Sequence, residues 1–352
     1  MKFLSKILFI LLIITALSCE RKPLYLQGDY LLNVSARVEA DINTMWRTDW
    51  RDSLKFDWKT EYGSLGYTDP GIISLIPFYG SEMLDKYNIR IGRRQYVDLN
   101  PNESYDLLLY NKTLNIDASY RGGRYYIESF PVSTGVNSSI SEQYTTINQP
   151  GEVFSTYIKN VYLNELDYEI VFENGKNIYV YNIDAVLNPV SYIYVIQFIV
   201  INDDNSPYIE ARDIQGFTIS GVTAKKNLFT GKSVYTGRNQ IEMFDVKDGQ
   251  MRGDSLIFAS RITVLDLLPE EEESSWTTHE NHLYYTTLNV DTFDYGVVTG
   301  TKDITKQLND NPHGGVITVK ILNSELKHNS DGGDSDFGID LDEWMEYKYD
   351  VI

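Results

Sequence analysis

A regular alternation of apolar and polar residues near the N-terminus restricts the fold of this 352-residue chain most strongly. From Tyr30 to Ile42 every even-numbered position is apolar, and from Asn33 onward the odd-numbered positions are polar. A period of two places one face of a strand on a core and the other in solvent. We therefore predict a long β-strand over residues 30–42.

Further runs of the same kind follow along the chain, which contains 27 tyrosines, a residue type that fits a pleated, half-buried surface. Predicted strands cover residues 72–78, 105–111, 125–130, 178–183, 192–201, 256–265, 282–290 and 316–322. The run at 192–201 is apolar almost throughout, so we expect it to be buried on both faces. Pro77 indicates a strand end or a sheet edge.

Helical periodicity is scarce, with one short helix predicted from Ser81 to Tyr87 and another from Asp303 to Leu308. Many short strands separated by turn residues are typical of antiparallel sandwiches. The predicted fold class is all-β, with two antiparallel β-sandwich domains in tandem.

A stretch rich in Ser, Thr, Asn and Gln, residues 133–150, is the predicted linker between them, with the boundary near Thr146. The predicted organisation is a signal peptide at 1–18, a tether at 19–28, an N-terminal sandwich at 29–146 and a C-terminal sandwich at 147–352.

The first residues have the organisation of a secretory signal. Lys2 and Lys6 precede an apolar run at 7–17 that is shorter than the roughly 20 residues of a transmembrane helix. The run ends in Ala16-Leu17-Ser18-Cys19, which resembles a lipobox, and Cys19 is the single cysteine of the chain. We predict that Cys19 is lipidated and anchors the chain to a membrane. The alternative is an ordinary cleavage site with an incidental cysteine.

The excess of acidic residues limits the kinds of molecule that this chain can bind by electrostatic attraction. The formal net charge is −19, and without residues 1–18 the chain keeps 29 basic and 50 acidic residues, a net charge of −21. This excess argues against nucleic acid and against electrostatic binding to an anionic membrane. Membrane attachment is therefore expected through the lipid on Cys19.

The two candidate catalytic motifs lack the residue spacing that their chemistry requires. Gly231-Lys232-Ser233 lacks the first glycine of a phosphate-binding loop, because Lys226 stands in its place. His279 and His282 are one residue too close for a zinc-protease pair. The prediction is a non-enzymatic protein with no catalytic, cofactor-binding or metal-binding residue. An acidic segment offers calcium binding as an alternative to a charged loop; it contains Asp331, Asp334, Asp336, Asp340 and Asp342.

Four stretches in order resemble the Bacteroidales fimbrillin-like lipoproteins, a family related to type V pilus subunits and fimbrial anchors. They are Cys19-Glu20-Arg21 before a strand, the segment 97–111, the segments 187–192, 219–222 and 228–231, and the ending at 337–352. Asn102 stands where the family has glycine after Pro101. The acidic run that resembles a surface-export signal is missing after Cys19, so which face of the outer membrane the protein occupies stays open.

The resemblance implies a subunit, tip or anchor of fimbria-like filaments on the outer membrane, with other fimbrial subunits as partners by strand exchange. Related subunits lose their first strand to a protease, and Arg37 is the candidate cleavage site here. The alternating run from Met345 to Val351 is the candidate donor strand, or it closes its own sheet. The alternative is an uncut anchor or a monomer.

Two other features carry predictions. Ser53 and Ser255 lie in Asp-Ser-Leu triplets that resemble sites of O-glycosylation in exported Bacteroidetes proteins; a turn before a strand explains them equally well. The rival function is a surface glycan- or ligand-binding lipoprotein, in which Trp46, Trp50 and Trp58 would stack on sugar. Core packing is the alternative role for these tryptophans.

Overall fold

The computed structural model describes residues 29–38, 67–68, 70–91, 97, 99–100, 102–137, 142–164, 167–203, 208–244, 249–267 and 283–328. Within these ranges there are 23 strands, in chain order β1 (Asp29–Val38), β2 (Ile72–Tyr79), β3 (Glu82–Met83), β4 (Tyr87–Arg90), β5 (Ser104–Tyr110), β6 (Ile116–Arg121), β7 (Arg124–Ser129), β8 (Pro131–Asn137), β9 (Glu142–Ile147), β10 (Phe154–Tyr162), β11 (Glu169–Glu173), β12 (Lys176–Pro189), β13 (Tyr192–Ile201), β14 (Ile214–Val222), β15 (Lys225–Asn227), β16 (Ser233–Val234), β17 (Asn239–Met243), β18 (Gln250–Arg252), β19 (Ser255–Val264), β20 (Tyr285–Thr292), β21 (Gly296–Asp303), β22 (Gly315–Leu322) and β23 (Lys327–His328). One α-helix, α1 (Thr305–Asp310), and two 3₁₀ turns, η1 (Ala211–Asp213) and η2 (Asn323–Glu325), complete these elements.

The strands form four sheets. Sheet I has the order β1-β12-β10-β5-β2-β3, with β11 also paired to β12 and β4 to β2. Sheet II is β18-β19-β13-β22, sheet III is β23-β21-β20-β14-β17-β9-β8, and sheet IV is β16-β15-β7-β6. The all-β prediction is therefore confirmed, and each predicted strand overlaps an observed one. The predicted ends at residues 39–42 and at residue 282 lie outside the described residues.

Sheets I, II and III are mixed, which corrects the expectation of purely antiparallel pairing, whereas sheet IV is antiparallel throughout. β1 runs parallel to β12, β22 parallel to β13, and β17 parallel to β9. An alternating sequence specifies which face of a strand is buried but not the direction of its neighbour, because both kinds of ladder have side chains with a period of two.

Three apolar cores hold the sheets together. Core 1 lies between sheets II and III and includes Phe198, Phe217 and Phe258. Core 2 lies on one face of sheet I, and core 3 lies between the other face of sheet I and sheet IV. The β15–β16 turn reaches core 3 through Leu228 and Phe229.

β2 and β5 are buried on both faces, which explains their continuous apolar sequences. In β2, Leu75 contributes to core 2 and Ile76 to core 3. Pro77 does not end the strand as predicted; it pairs with Leu107 of β5 where the neighbour on the other side of β2 changes from β4 to β3. A residue without an N–H is tolerated most easily where one neighbouring strand ends and the next begins.

The predictions for local structure had mixed outcomes. The helix predicted from Ser81 to Tyr87 is wrong, since β3 and the start of β4 occupy this segment. The helix predicted after Asp303 is confirmed as α1, and the Asp303 carboxylate accepts a hydrogen bond from the Thr305 N–H at 2.7 Å. Asn102 adopts φ 62°, the left-handed conformation that glycine provides in the resembling turn.

Sheet pairing crosses the predicted boundary at residue 146. β10 and β12 complete sheet I with strands that precede this residue, and β15 and β16 complete sheet IV in the same way. The ranges 29–146 and 147–352 stay a prediction about domains, whereas sheets I, III and IV combine strands from both ranges.

Candidate functional site

The first strand occupies an edge of sheet I and is one candidate site. β1 pairs with β12 over its whole length, from Asp29 opposite Ile178 to Val38 opposite Leu187. Within the described ranges β12 is the one strand that pairs with it. Leu32 is 2% exposed and belongs to core 2. The first strand is therefore held by a single backbone ladder and by an apolar side chain inserted into a core.

A series of side-chain hydrogen bonds supports the pairing of β1 with β12 on the outside of the sheet. The Asn33 side-chain amide donates to Asn182 Oδ1 at 2.7 Å, and the Asn182 amide donates to Glu169 Oε2 at 3.2 Å. Arg37 lies opposite Val186, near the end of β1. An edge strand is the position at which a protease or another chain can reach the backbone.

The second candidate site is an open cleft of about 320 Å³ beside sheet II. Its lining is mostly hydroxyl, amide and proline groups with one ion pair, from Thr68, Pro70, Asn111, Thr113, Gln149, Pro150, Gly151, Glu152, Arg261 and Thr263. A Cβ atom at Gly151 would overlap Thr113 Oγ1, so glycine is required where these two segments meet.

Glu152 and Arg261 form the charged wall of this cleft. Arg261 Nη2 pairs with Glu152 Oε1, and Arg261 Nη1 donates to Thr263 Oγ1 at 3.4 Å. The other carboxylate oxygen of Glu152 accepts the Thr68 N–H. Both charges are about one-fifth exposed, at 22% for Arg261 and 17% for Glu152. The wall is therefore neutral overall and still offers donors and acceptors to a polar ligand.

The base of the cleft is fixed by buried polar contacts. The Asn111 side chain donates to the Glu152 carbonyl at 2.7 Å and accepts the Phe154 N–H at 2.6 Å. The Tyr67 hydroxyl donates to the Ser191 carbonyl at 2.8 Å, and burial raises the pKa of Tyr67, so this phenol stays neutral. These contacts join the ends of β5, β10 and β12 into one preformed structure.

The other predicted site residues are distributed as follows. Arg37 lies on β1, and Ser255 is the first residue of β19 after a turn. Gly231 lies in the turn between β15 and β16 with φ +71°, so the turn interpretation of Gly231-Lys232-Ser233 is confirmed. Several predicted positions lie outside the described residues: Cys19, Trp46, Trp50, Ser53, Trp58, His279, His282, the acidic segment 331–342 and the run 345–351.

The sequence offered no signal for the cleft, because Glu152 and Arg261 are separated by 109 positions. Among the described residues no group of three metal-ligating side chains occurs. In the same part of the chain no helix has the length and apolarity needed to span a membrane.

Comparison with solved structures finds proteins of the classes that the resemblance named. A candidate adhesin from Bacteroides ovatus is 14% identical, with 78% of this chain and 95% of that chain covered and a TM-score of 0.44. A candidate polysaccharide-binding protein from Bacteroides thetaiotaomicron is 10% identical over 85% and 94%, with a TM-score of 0.45. The fimbrial anchor protein Mfa2 from Porphyromonas gingivalis is 9% identical over 83% and 90%, with a TM-score of 0.42.

No family model matches the chain, and no curated protein sequence matches it.

Proposed function

We propose that the protein is a non-enzymatic lipoprotein of the outer membrane that acts as a subunit or anchor of fimbria-like filaments in adhesion or pilus assembly. The observation that carries this proposal is the edge position of β1. If β1 leaves, the backbone groups of β12 and the place of Leu32 in core 2 become available to another chain. A strand from a neighbouring subunit would restore both.

Strand exchange is tested with the chain that lacks residues 1–19. An arginine-specific protease should cut after Arg37, and sizing should then show ladder-like oligomers. Arg37→Lys is the matched control, because it keeps the charge but removes the cleavage site. If cleavage leaves a monomer, the protein is not a polymerising subunit, and the interpretation as an anchor remains.

Lipid anchoring is tested separately. Cys19→Ala should release the protein from the outer membrane, since acyl chains supply about 0.8 kcal/mol per buried CH₂. Cys19→Ser is the closer match in size and should give the same result. Fractionation of either variant with the membrane would contradict lipidation. Protease treatment of intact cells would then determine which face of the membrane the protein occupies.

Glycosylation at Ser53 and Ser255 is a further part of the proposal. Ser255 is partly exposed at the start of β19, after the turn at Gly253. Protein purified from its own cells should carry added mass that Ser53→Ala and Ser255→Ala each reduce. Masses that differ only by the one oxygen atom lost in each substitution would contradict modification.

The second candidate function is glycan or ligand binding, and the cleft is the observation that favours it. Its hydroxyl and amide groups and its neutral ion pair suit a polar, uncharged ligand such as one sugar residue. Neutral oligosaccharides should give saturation-transfer signals in NMR that Thr68→Val, at an exposed residue of the lining, weakens. Signals that persist in this variant would place any sugar elsewhere.

A further inference from the structure

The hairpin of β20 and β21 presents a bare aromatic ring at its tip. The strands are joined by the three residues Phe293, Asp294 and Tyr295, since Thr292 pairs directly with Gly296. Phe293 is 102% exposed, more than any other large apolar residue in the described ranges. A fully exposed phenylalanine contributes nothing to a core, so packing against the described residues does not explain it.

The loop is held in one conformation. Thr292 Oγ1 accepts the Tyr295 N–H at 3.2 Å and donates to the Gly296 carbonyl at 3.4 Å. Gly296 has φ +69°, which lets the chain turn back into β21. Val290 and Val298 pair below the loop and are both buried in core 1. The ring of Phe293 is therefore carried on a hairpin whose strands are anchored in core 1.

Neighbouring side chains extend the apolar surface. Tyr295 is 40% exposed and Val297 is 48% exposed, and Asp291 pairs with Val297 across the hairpin. We call residues 291–297 the aromatic finger. Large apolar side chains of this kind, close together and surrounded by polar groups, are typical of protein interfaces, in which one or two aromatic anchors carry most of the binding energy.

The shape of the finger favours a macromolecular partner over a small ligand. Small-molecule sites are concave and enclose most of their ligand. The finger projects instead and offers a convex tip, which is suited to insertion into a pocket on another surface.

The charge of the finger restricts the partner further. Residues 285–301 contain Asp291 and Asp294 and no Lys or Arg. In the adjacent η1 turn, the one cation, Arg212, is paired with carboxylates on both sides, at 3.1 and 3.9 Å. A cation on the neighbouring strand, Lys327, lies opposite Thr299, nearer the root of the hairpin. His328 lies opposite Val298, also below the tip. Among the described residues, the charged side chains of the tip itself are therefore both acidic.

We propose that the aromatic finger is a docking element that inserts Phe293 into an apolar pocket, rimmed by Lys or Arg, on another protein of the cell surface. A basic rim matches Asp291 and Asp294, and the ring fills the pocket. The inference rests on the proposed surface function, but it does not use β1 or the cleft.

The test measures binding of the mature chain, made soluble by Cys19→Ser and labelled with a fluorophore, to cells of the producing strain from which the gene has been deleted. Phe293→Ala should lower binding at least tenfold, whereas Leu114→Ala, at a residue that is 80% exposed, should leave it unchanged. Asp291→Asn together with Asp294→Asn should weaken binding several-fold and reduce its dependence on salt. Circular dichroism and thermal unfolding should be the same for all these forms.

Treatment of the cells identifies the class of partner. Protease treatment should abolish binding, and periodate oxidation of surface glycans should not. Equal binding by Phe293→Ala and the unchanged chain would overturn the proposal, as would absence of binding by the unchanged chain. If binding is lost after periodate and kept after protease, the finger binds a glycan, and the proposal of a protein partner is overturned as well. If filaments persist in a Phe293→Ala strain, the finger is not needed for assembly. The docking inference and the proposed function in assembly can then fail independently of each other.

Discussion

The side-chain amide of Gln307 closes the outer edge of β22 by pairing with both backbone groups of Thr318. Gln307 Nε2 donates to the Thr318 carbonyl at 2.9 Å, and Gln307 Oε1 accepts the Thr318 N–H at 2.8 Å. Gln307 lies on α1, and β22 is the last strand of sheet II. One side chain thus takes the place of a neighbouring strand at a point where an open edge could pair with another molecule.

Gln307→Ala should therefore destabilise the protein and expose the edge. Two backbone groups lose their partners, and we expect a loss of about 1–3 kcal/mol in the free energy of unfolding, measured with urea. Sedimentation at increasing concentration should also show more self-association. Gln307→Glu is the matched control, because a carboxylate still accepts the Thr318 N–H but cannot donate to the carbonyl. If the alanine variant is as stable as the unchanged chain, the edge has no need of this cap.

The ion pair between Lys226 and Asp266 predicts strong coupling between two positions 40 residues apart in the sequence. The Lys226 side chain is 2% exposed and its Nζ lies 2.9 Å from Asp266 Oδ2. The ammonium also donates to the Val190 carbonyl at 3.2 Å, and the Ser233 hydroxyl donates to the same carboxylate oxygen at 2.7 Å. The pair joins sheet IV to the ends of β12 and β19.

Asp266→Asn should leave a buried ammonium without its counter-charge and lower the free energy of unfolding by about 3 kcal/mol. Lys226→Met combined with Asp266→Asn should recover most of this loss, because an apolar side chain of similar length suits the buried position. A double-mutant cycle measures the coupling. Additive effects of the two substitutions would show that the charges do not interact.

The buried tyrosines predict a loss of stability in alkali. Burial raises the pKa of Tyr194 above its ordinary value of 10.0, and its hydroxyl donates to the Asn311 carbonyl at 2.7 Å. The folded state therefore favours the neutral phenol. The stability that this group contributes is complete below about pH 10, the unfolded value, and falls as the pH rises further, by about 1.4 kcal/mol per pH unit.

Urea unfolding at pH 8, 10 and 11 checks this expectation. Burial raises the pKa of Tyr67 and Tyr105 as well, so the unchanged chain should lose stability steeply above pH 10. Tyr194→Phe should be less stable at pH 8, because the hydrogen bond is lost, but should have a shallower dependence on pH. Identical slopes for the two proteins would contradict the assignment to Tyr194.

Gly221→Ala tests one glycine of the resembling segment 219–222. Gly221 has φ +91° at a bulge between β14 and β17, and a Cβ there would overlap the ring of Tyr284. We expect a loss of about 2–4 kcal/mol in the free energy of unfolding, from backbone strain and overpacking together. Gly122→Ala is a useful comparison, because it also replaces a glycine with positive φ, at +58°, but has open space around it. Gly122→Ala should lower the free energy of unfolding by less, since only the backbone strain remains.

Local patterns predicted nine of the 23 described strands, namely β1, β2, β5, β7, β12, β13, β19, β20 and β22. The alternation in β22 identified its buried face, and in β1 it identified Leu32 as a buried residue. Such signals are local, because the period of the side chains and the φ angles of a turn are properties of a few consecutive residues. The sequence around Ser81 had an equally local helical pattern and was overridden by pairing of β3 and β4 with β2.

The sequence by itself therefore determined the all-β class, the approximate positions of nine strands and the absence of recognisable enzyme motifs. The tertiary structure decided which strands became neighbours, including the parallel pairing of β1 with β12 across 149 positions between Asn33 and Asn182. It also decided that Glu152 meets Arg261 in a cleft, and that Phe293 stands outside every core. Contacts between distant positions depend on how the whole chain closes its cores, and no local pattern encodes that closure.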